Sequence, residues 1–99
     1  MHFVDLPGKV QEAVRSLGET ARSDGVTLFV FGSFARGDAR PNSDLDIGYR
    51  ISPQTPPASE MRLRKAIEQL PTIRPVDLVD FGQVSPVFRD LAGETLIQL

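Results

Sequence analysis

The chain contains no cysteine and one histidine. Without cysteine there is no disulfide framework and no thiolate metal site, and His2, alone near the start, is assigned no role. No apolar stretch approaches the length of a transmembrane helix. The opening MHFVDLPGKVQEAV has neither the basic flank nor the apolar core of a signal peptide, so a cytoplasmic location and no membrane partner are expected. Positive charge is in slight deficit, 11 Lys and Arg against 13 Asp and Glu. A net charge of −2, with 24% charged and 40% hydrophobic residues, suits an ordinary globular protein and provides no basic stripe, which disfavours nucleic acid as the main partner. Internal repeats and low-complexity segments are absent. With 99 residues, positions 1–99 are read as one domain, able to bury a modest core but too small for a catalytic and a separate substrate-binding module. Any large substrate platform must come from elsewhere.

What is present is a regular alternation of helix and strand patterns. Val10, Val14, Leu17 and Ala21 recur at helical spacing between about Asp5 and Ser23, and Asp24-Gly25 provides a stop. Val26 to Phe31 reads as a strand buried on both faces. A short helix from Ser33 to about Gly37 and a turn at Arg40-Pro41-Asn42 lead to a second strand, Asp44 to Ile51. A proline-rich loop from Ser52 to Ala58 precedes a helix with Leu63, Ala66, Ile67 and Leu70 on one face, which Pro71 ends. Arg74 to Phe81 reads as a third strand, followed by a short helix from about Ser85 to Ala92 and a strand-like end, Thr95 to Leu99. This order predicts an α/β (α+β) domain, a small mixed sheet with helices packed on it.

The chemistry is concentrated in GSFARGDARPNSDLDI. The first strand runs into Gly32-Ser33, and a helix starting there turns its free N–H groups toward an anion. Ten residues later come Asp44 and Asp46, two apart on a strand and therefore on one face. Asp77, on a neighbouring strand, would stand close to both. Unit charges about 4 Å apart repel by on the order of 4 kcal/mol at an effective dielectric of 20, so a divalent cation or a raised pKa must offset the cluster. Oxygen ligands without Cys or His point to Mg²⁺, or to Mn²⁺. Two such ions could bridge the carboxylates to nucleotide phosphates, which makes nucleotidyl transfer the expected chemistry. Asp80 competes for the third position, but strand alternation turns it to the opposite side from Asp77. Arg36 and Arg40 could reach phosphate oxygens or pair locally with Asp38, while Asn42 and Ser43 are read as shaping the turn.

On these residues the chain resembles the minimal nucleotidyltransferases, the MNT domains of the DNA polymerase β-like superfamily. Their hallmark is Gly-Ser, ten residues, then Asp-x-Asp, with a third carboxylate on a later strand. Gly32, Ser33, Asp44 and Asp46 match it, Asp77 in VDLVDF takes the third position, and the likeness extends over nearly the whole chain. Phe34 departs from it, standing where many relatives have a basic residue. The resemblance implies a nucleotidyltransferase fold in which Gly32 and Ser33, with Arg36, hold the nucleotide, while Asp44, Asp46 and Asp77 bind the metals and Asp77 helps deprotonate the acceptor. It further implies an antitoxin that moves AMP from ATP to a tyrosine hydroxyl of a cognate HEPN ribonuclease toxin, with which it forms a complex. Two alternatives remain: the catalytic subunit of an aminoglycoside-type enzyme, and a binding module that masks its partner without catalysis. Template-dependent polymerisation and tRNA-end addition rank last. A homo- or hetero-oligomer is compatible with the exposed faces of so small a domain.

Overall fold

Proline and glycine set the boundaries of the elements. A computed structural model describes residues 1–82 and 95–99. It begins with a 3₁₀ turn, Phe3–Asp5, closed by a reciprocal cap: the Asp5 carboxylate accepts from the His2 N–H, and His2 Nδ1 accepts from the Val4 N–H. Pro7 holds Leu6 extended at ψ 156°, so α1 starts at Gly8 and runs to Ser23. The helix is thus shorter at its start than the apolar spacing predicts, because the His2–Asp5 cap gives the preceding residues a turn of their own. Strand β1 is Val26–Phe31, α2 is Ser33–Arg36 and β2 is Leu45–Ile51. Helix α3, Ala58–Glu68, ends just before the expected stop at Pro71. Strand β3 spans Val76–Asp80 and β4 spans Ile97–Gln98. Pro75, with no N–H to give, trims β3 relative to the expected run, although its carbonyl still accepts from the Leu45 N–H at 2.9 Å. The helix expected over Ser85 to Ala92 lies outside the described residues.

The four strands form one mixed sheet in the order β3-β2-β1-β4. Strand β1 lies antiparallel to β2 and β4, whereas β2 and β3, joined through α3, are parallel. Each face of the sheet feeds its own core. Val26, Leu28 and Val30 of β1, with Leu45, Ile47 and Tyr49 of β2, pack against Val10 and Val14 of α1 and Leu63 and Ile67 of α3. Phe29, Phe31 and Phe81 form a separate aromatic cluster on the opposite face. The Phe81 ring lies directly over Gly48, where any Cβ would collide with it. No helix among the described residues is long and apolar enough to cross a membrane.

Candidate active site

The face of β2 that does not enter the helix-side core carries Asp46, and the sheet register brings the rest of the site to it. Asp46 pairs with Phe31, the last residue of β1, on one side and with Asp77 of β3 on the other. Paired residues point their side chains to the same face, with strands about 4.8 Å apart. Asp44 stands one residue ahead of β2, which starts at Leu45 rather than at the expected Asp44; it is exposed, and its charge bears on Asp46. Asp80 belongs to the opposite side, as strand alternation predicts: its charge bears on Tyr49, and its Oδ1 accepts from the Gly82 N–H at 2.8 Å.

The turn out of β1 is built around Asp46. Gly32 has φ 71° and ψ −150°, a conformation essentially confined to glycine. A Cβ at Gly32 would lie 2.2 Å from Asp46 Oδ2, so the carboxylate rests against the bare Cα. The next turn tightens at once. The Ala35 and Arg36 N–H groups donate to the Gly32 carbonyl, and those of Gly37 and Asp38 donate to the Ser33 carbonyl. The N–H groups of Ser33 and Phe34 precede these bonds and have no acceptor within the helix. Gly37, at φ 91°, reverses the chain. Ala39, which is buried, donates its N–H to the Met1 carbonyl at 3.1 Å.

Electrostatics mark the same spot. The Asp46 carboxyl is pushed above its usual range, first by burial and then by the charges of Asp77 and Asp44, with Arg36 opposing. Arg36 makes the local ion pair with Asp38 at 3.3 Å, both side chains more than half exposed. An exposed pair of this kind is worth about 0–1 kcal/mol, so the guanidinium can leave it for a phosphate at little cost. Arg40 is exposed, and its backbone forms the turn: its N–H donates to Ser43 Oγ at 2.8 Å, and its carbonyl accepts from the Ser43 N–H at 3.0 Å. Phe34 is fully buried, packed beneath the loop.

Sequence reasoning missed Arg74, which it read only as the start of a strand. Its Nη1 donates to the Pro41 and Ser43 carbonyls, and its guanidinium lies over the Phe34 ring. The signal available was slight: a single Arg ahead of the proline that opens β3.

The donor set fits a hard divalent cation. It consists of carboxylate oxygens whose mutual repulsion raises Asp46, beside a glycine cradle that a Cβ would fill. Among the described residues no group of three or more His, Cys, Asp or Glu side chains stands in metal-binding geometry. Asp44 and Asp77 are exposed, and β3 on β2 sets Asp77 opposite Asp46.

A family model described as polymerase beta, nucleotidyltransferase matches residues 20–97. The chain is similar to a solved structure described as a minimal nucleotidyltransferase, with 31% identity and a TM-score of 0.66, over 100% of this chain and 97% of the other. It is also similar in fold to a toxin–antitoxin with AMP-PNP, at 22% identity and TM-score 0.55 over 88% of this chain and 69% of that one. A third structure, the toxin–antitoxin MntA–HpeT mutant, has 22% identity and TM-score 0.62 over the same shares, 88% and 69%. No curated protein sequence matches.

Proposed function

The chain belongs to the polymerase beta nucleotidyltransferase family, and from that premise we propose that it transfers AMP from ATP to a hydroxyl of a partner protein. The acceptor in this reading is a tyrosine of a cognate HEPN ribonuclease toxin, which the modification disables. The observation that carries the transfer chemistry is Asp46, seated against Gly32 and in register with Asp77. It joins a phosphate-holding turn to a carboxylate cluster. The fold neighbours solved as toxin–antitoxin structures, one of them with AMP-PNP, support the choice of partner and nucleotide.

In this reading the Ser33 and Phe34 N–H groups and the Ser33 hydroxyl hold phosphate oxygens, and Arg36 releases Asp38 to join them. Asp44, Asp46 and Asp77 would hold Mg²⁺, which when bound neutralises the triphosphate and increases the acidity of the acceptor hydroxyl. The acceptor oxygen attacks the α-phosphorus as the bond to the departing pyrophosphate breaks. Asp77, exposed at the rim, takes the proton at its carboxylate. In this reading the protein substrate provides its own surface.

Incubation of the chain with ATP, Mg²⁺ and a cognate HEPN toxin should add whole adenylyl units to the toxin's mass. An unchanged mass under saturating ATP counts against the proposal. If Asp44→Asn with Asp46→Asn neutralises the partner as well as wild type does, masking alone is sufficient.

A further inference from the structure

We infer that Arg74 is a positioning residue for the carboxylate site, an assignment that rests on the nucleotidyl-transfer reading above. The Arg74 guanidinium contacts two of the segments that build the site, and its backbone leads into the third. Its Nη1 donates to the Pro41 carbonyl at 2.9 Å and to the Ser43 carbonyl at 2.7 Å, and Ser43 immediately precedes Asp44. Its Cζ lies over the Phe34 ring, 4.8 Å from the centroid, and Phe34 follows Ser33. Its own backbone enters β3 just ahead of Asp77, and the adjoining Pro75 carbonyl accepts from Leu45, the residue between Asp44 and Asp46. The backbone N–H of Arg74 donates to Thr72 Oγ1 at 3.1 Å, which anchors the side chain's origin.

This geometry exceeds what holding one loop requires. The loop ahead of Asp44 already has the Arg40–Ser43 pair of bonds to close its turn. The guanidinium adds a tie between that turn, the Gly32-Ser33 helix and β3, the three segments that contribute ligands. Arginine suits the position because a planar fork can serve carbonyls along its edge while its face covers an aromatic ring. Lysine offers a point charge and cannot do both. Groups that orient metal ligands typically govern metal affinity by about 10–100-fold, and that is the range expected here.

The test is Mn²⁺ binding in the presence of AMP-PNP, followed by electron paramagnetic resonance well below the melting temperature. Wild type is compared with Arg74→Lys, Arg74→Ala and Phe34→Leu. We expect Mn²⁺ affinity to fall about 10–100-fold in both Arg74 variants, with partial recovery in Arg74→Ala on adding ethylguanidinium. Phe34→Leu, which removes only the ring face, should lose less; it decides the matter by itself should the Arg74 variants fail to fold, affinity equal to wild type then overturning the inference. Folded Arg74 variants whose Mn²⁺ affinity stays within about twofold of wild type, whatever their melting temperatures, overturn it too. Wild type that binds no Mn²⁺ with AMP-PNP overturns the nucleotidyl-transfer reading, and this inference falls with it.

Discussion

At Gly32 two separate constraints meet: a backbone at φ 71° and a carboxylate oxygen where a side chain would begin. Gly37 carries only the first, at φ 91°, with the His2 ring the nearest group at 3.7 Å from a built Cβ. Gly37→Ala should cost about 1–2 kcal/mol of stability and leave nucleotide binding in place. Gly32→Ala should cost about 1–3 kcal/mol from strain alone and abolish binding, because it evicts the Asp46 carboxylate. Urea unfolding with calorimetric titration of Mg·AMP-PNP separates the two variants; retained binding in Gly32→Ala counts against the site. The Gly-Ser pair reads as a phosphate turn in the sequence. The room that Gly32 leaves for Asp46 was not legible there, since it depends on β1 and β2 pairing with Phe31 opposite Asp46.

Strand β2 divides its chemistry between its faces, and the period of two makes that division readable in the sequence: Leu45, Ile47 and Tyr49 point inward, Asp46 and Gly48 to the other face. What Tyr49 meets could not be read. It is 1% exposed, donates to Glu60 Oε2 of α3 at 2.8 Å and accepts from an Arg64 Nη at 3.3 Å. Burial, then the Glu60 hydrogen bond, then the nearby Asp80 and Glu60 charges push the phenol up to about 12, with Arg64 opposing. A raised pKa makes the phenol's contribution complete below about pH 10, the value for an exposed tyrosine, and lost as pH rises toward about 12. Tyr49→Phe should therefore be less stable at pH 8 by about 0.5–1.5 kcal/mol, yet lose less stability than wild type above pH 10. With one tyrosine and no tryptophan in the chain, tyrosinate absorbance follows the ionisation directly in wild type. Parallel stability profiles for the two proteins would falsify this account of the β2–α3 link.

Across the whole molecule, the Asp46 cluster is a cost of the fold. A carboxyl pushed up by burial and by Asp77 and Asp44 contributes most when protonated at low pH, and that contribution is lost as pH rises through its raised pKa. Metal-free protein at neutral pH therefore carries the full repulsion. Asp46→Asn should melt higher than wild type in chelator at neutral pH, with the gap closing as pH falls. Mg·ATP should raise the melting temperature of wild type only, since a ligand at 100 times its dissociation constant adds about 2.7 kcal/mol. Equal shifts in the two proteins would place the ligand elsewhere.

Among the described residues, the alternation of helices and strands and the faces of the strands were determined by the sequence, because each depends on local periodicity and on residues close together in the chain. The alternation of one strand separates the side of Asp77 from that of Asp80, and the register of β3 on β2 sets Asp77 opposite Asp46. The tertiary structure decided what depends on residues distant in the chain. Examples are the contact of Asp46 with Gly32, the elevation of its pKa and the role of Arg74 as the tie between three segments. Such contacts follow from how strands pair and loops cross, and no spacing along a single segment encodes them.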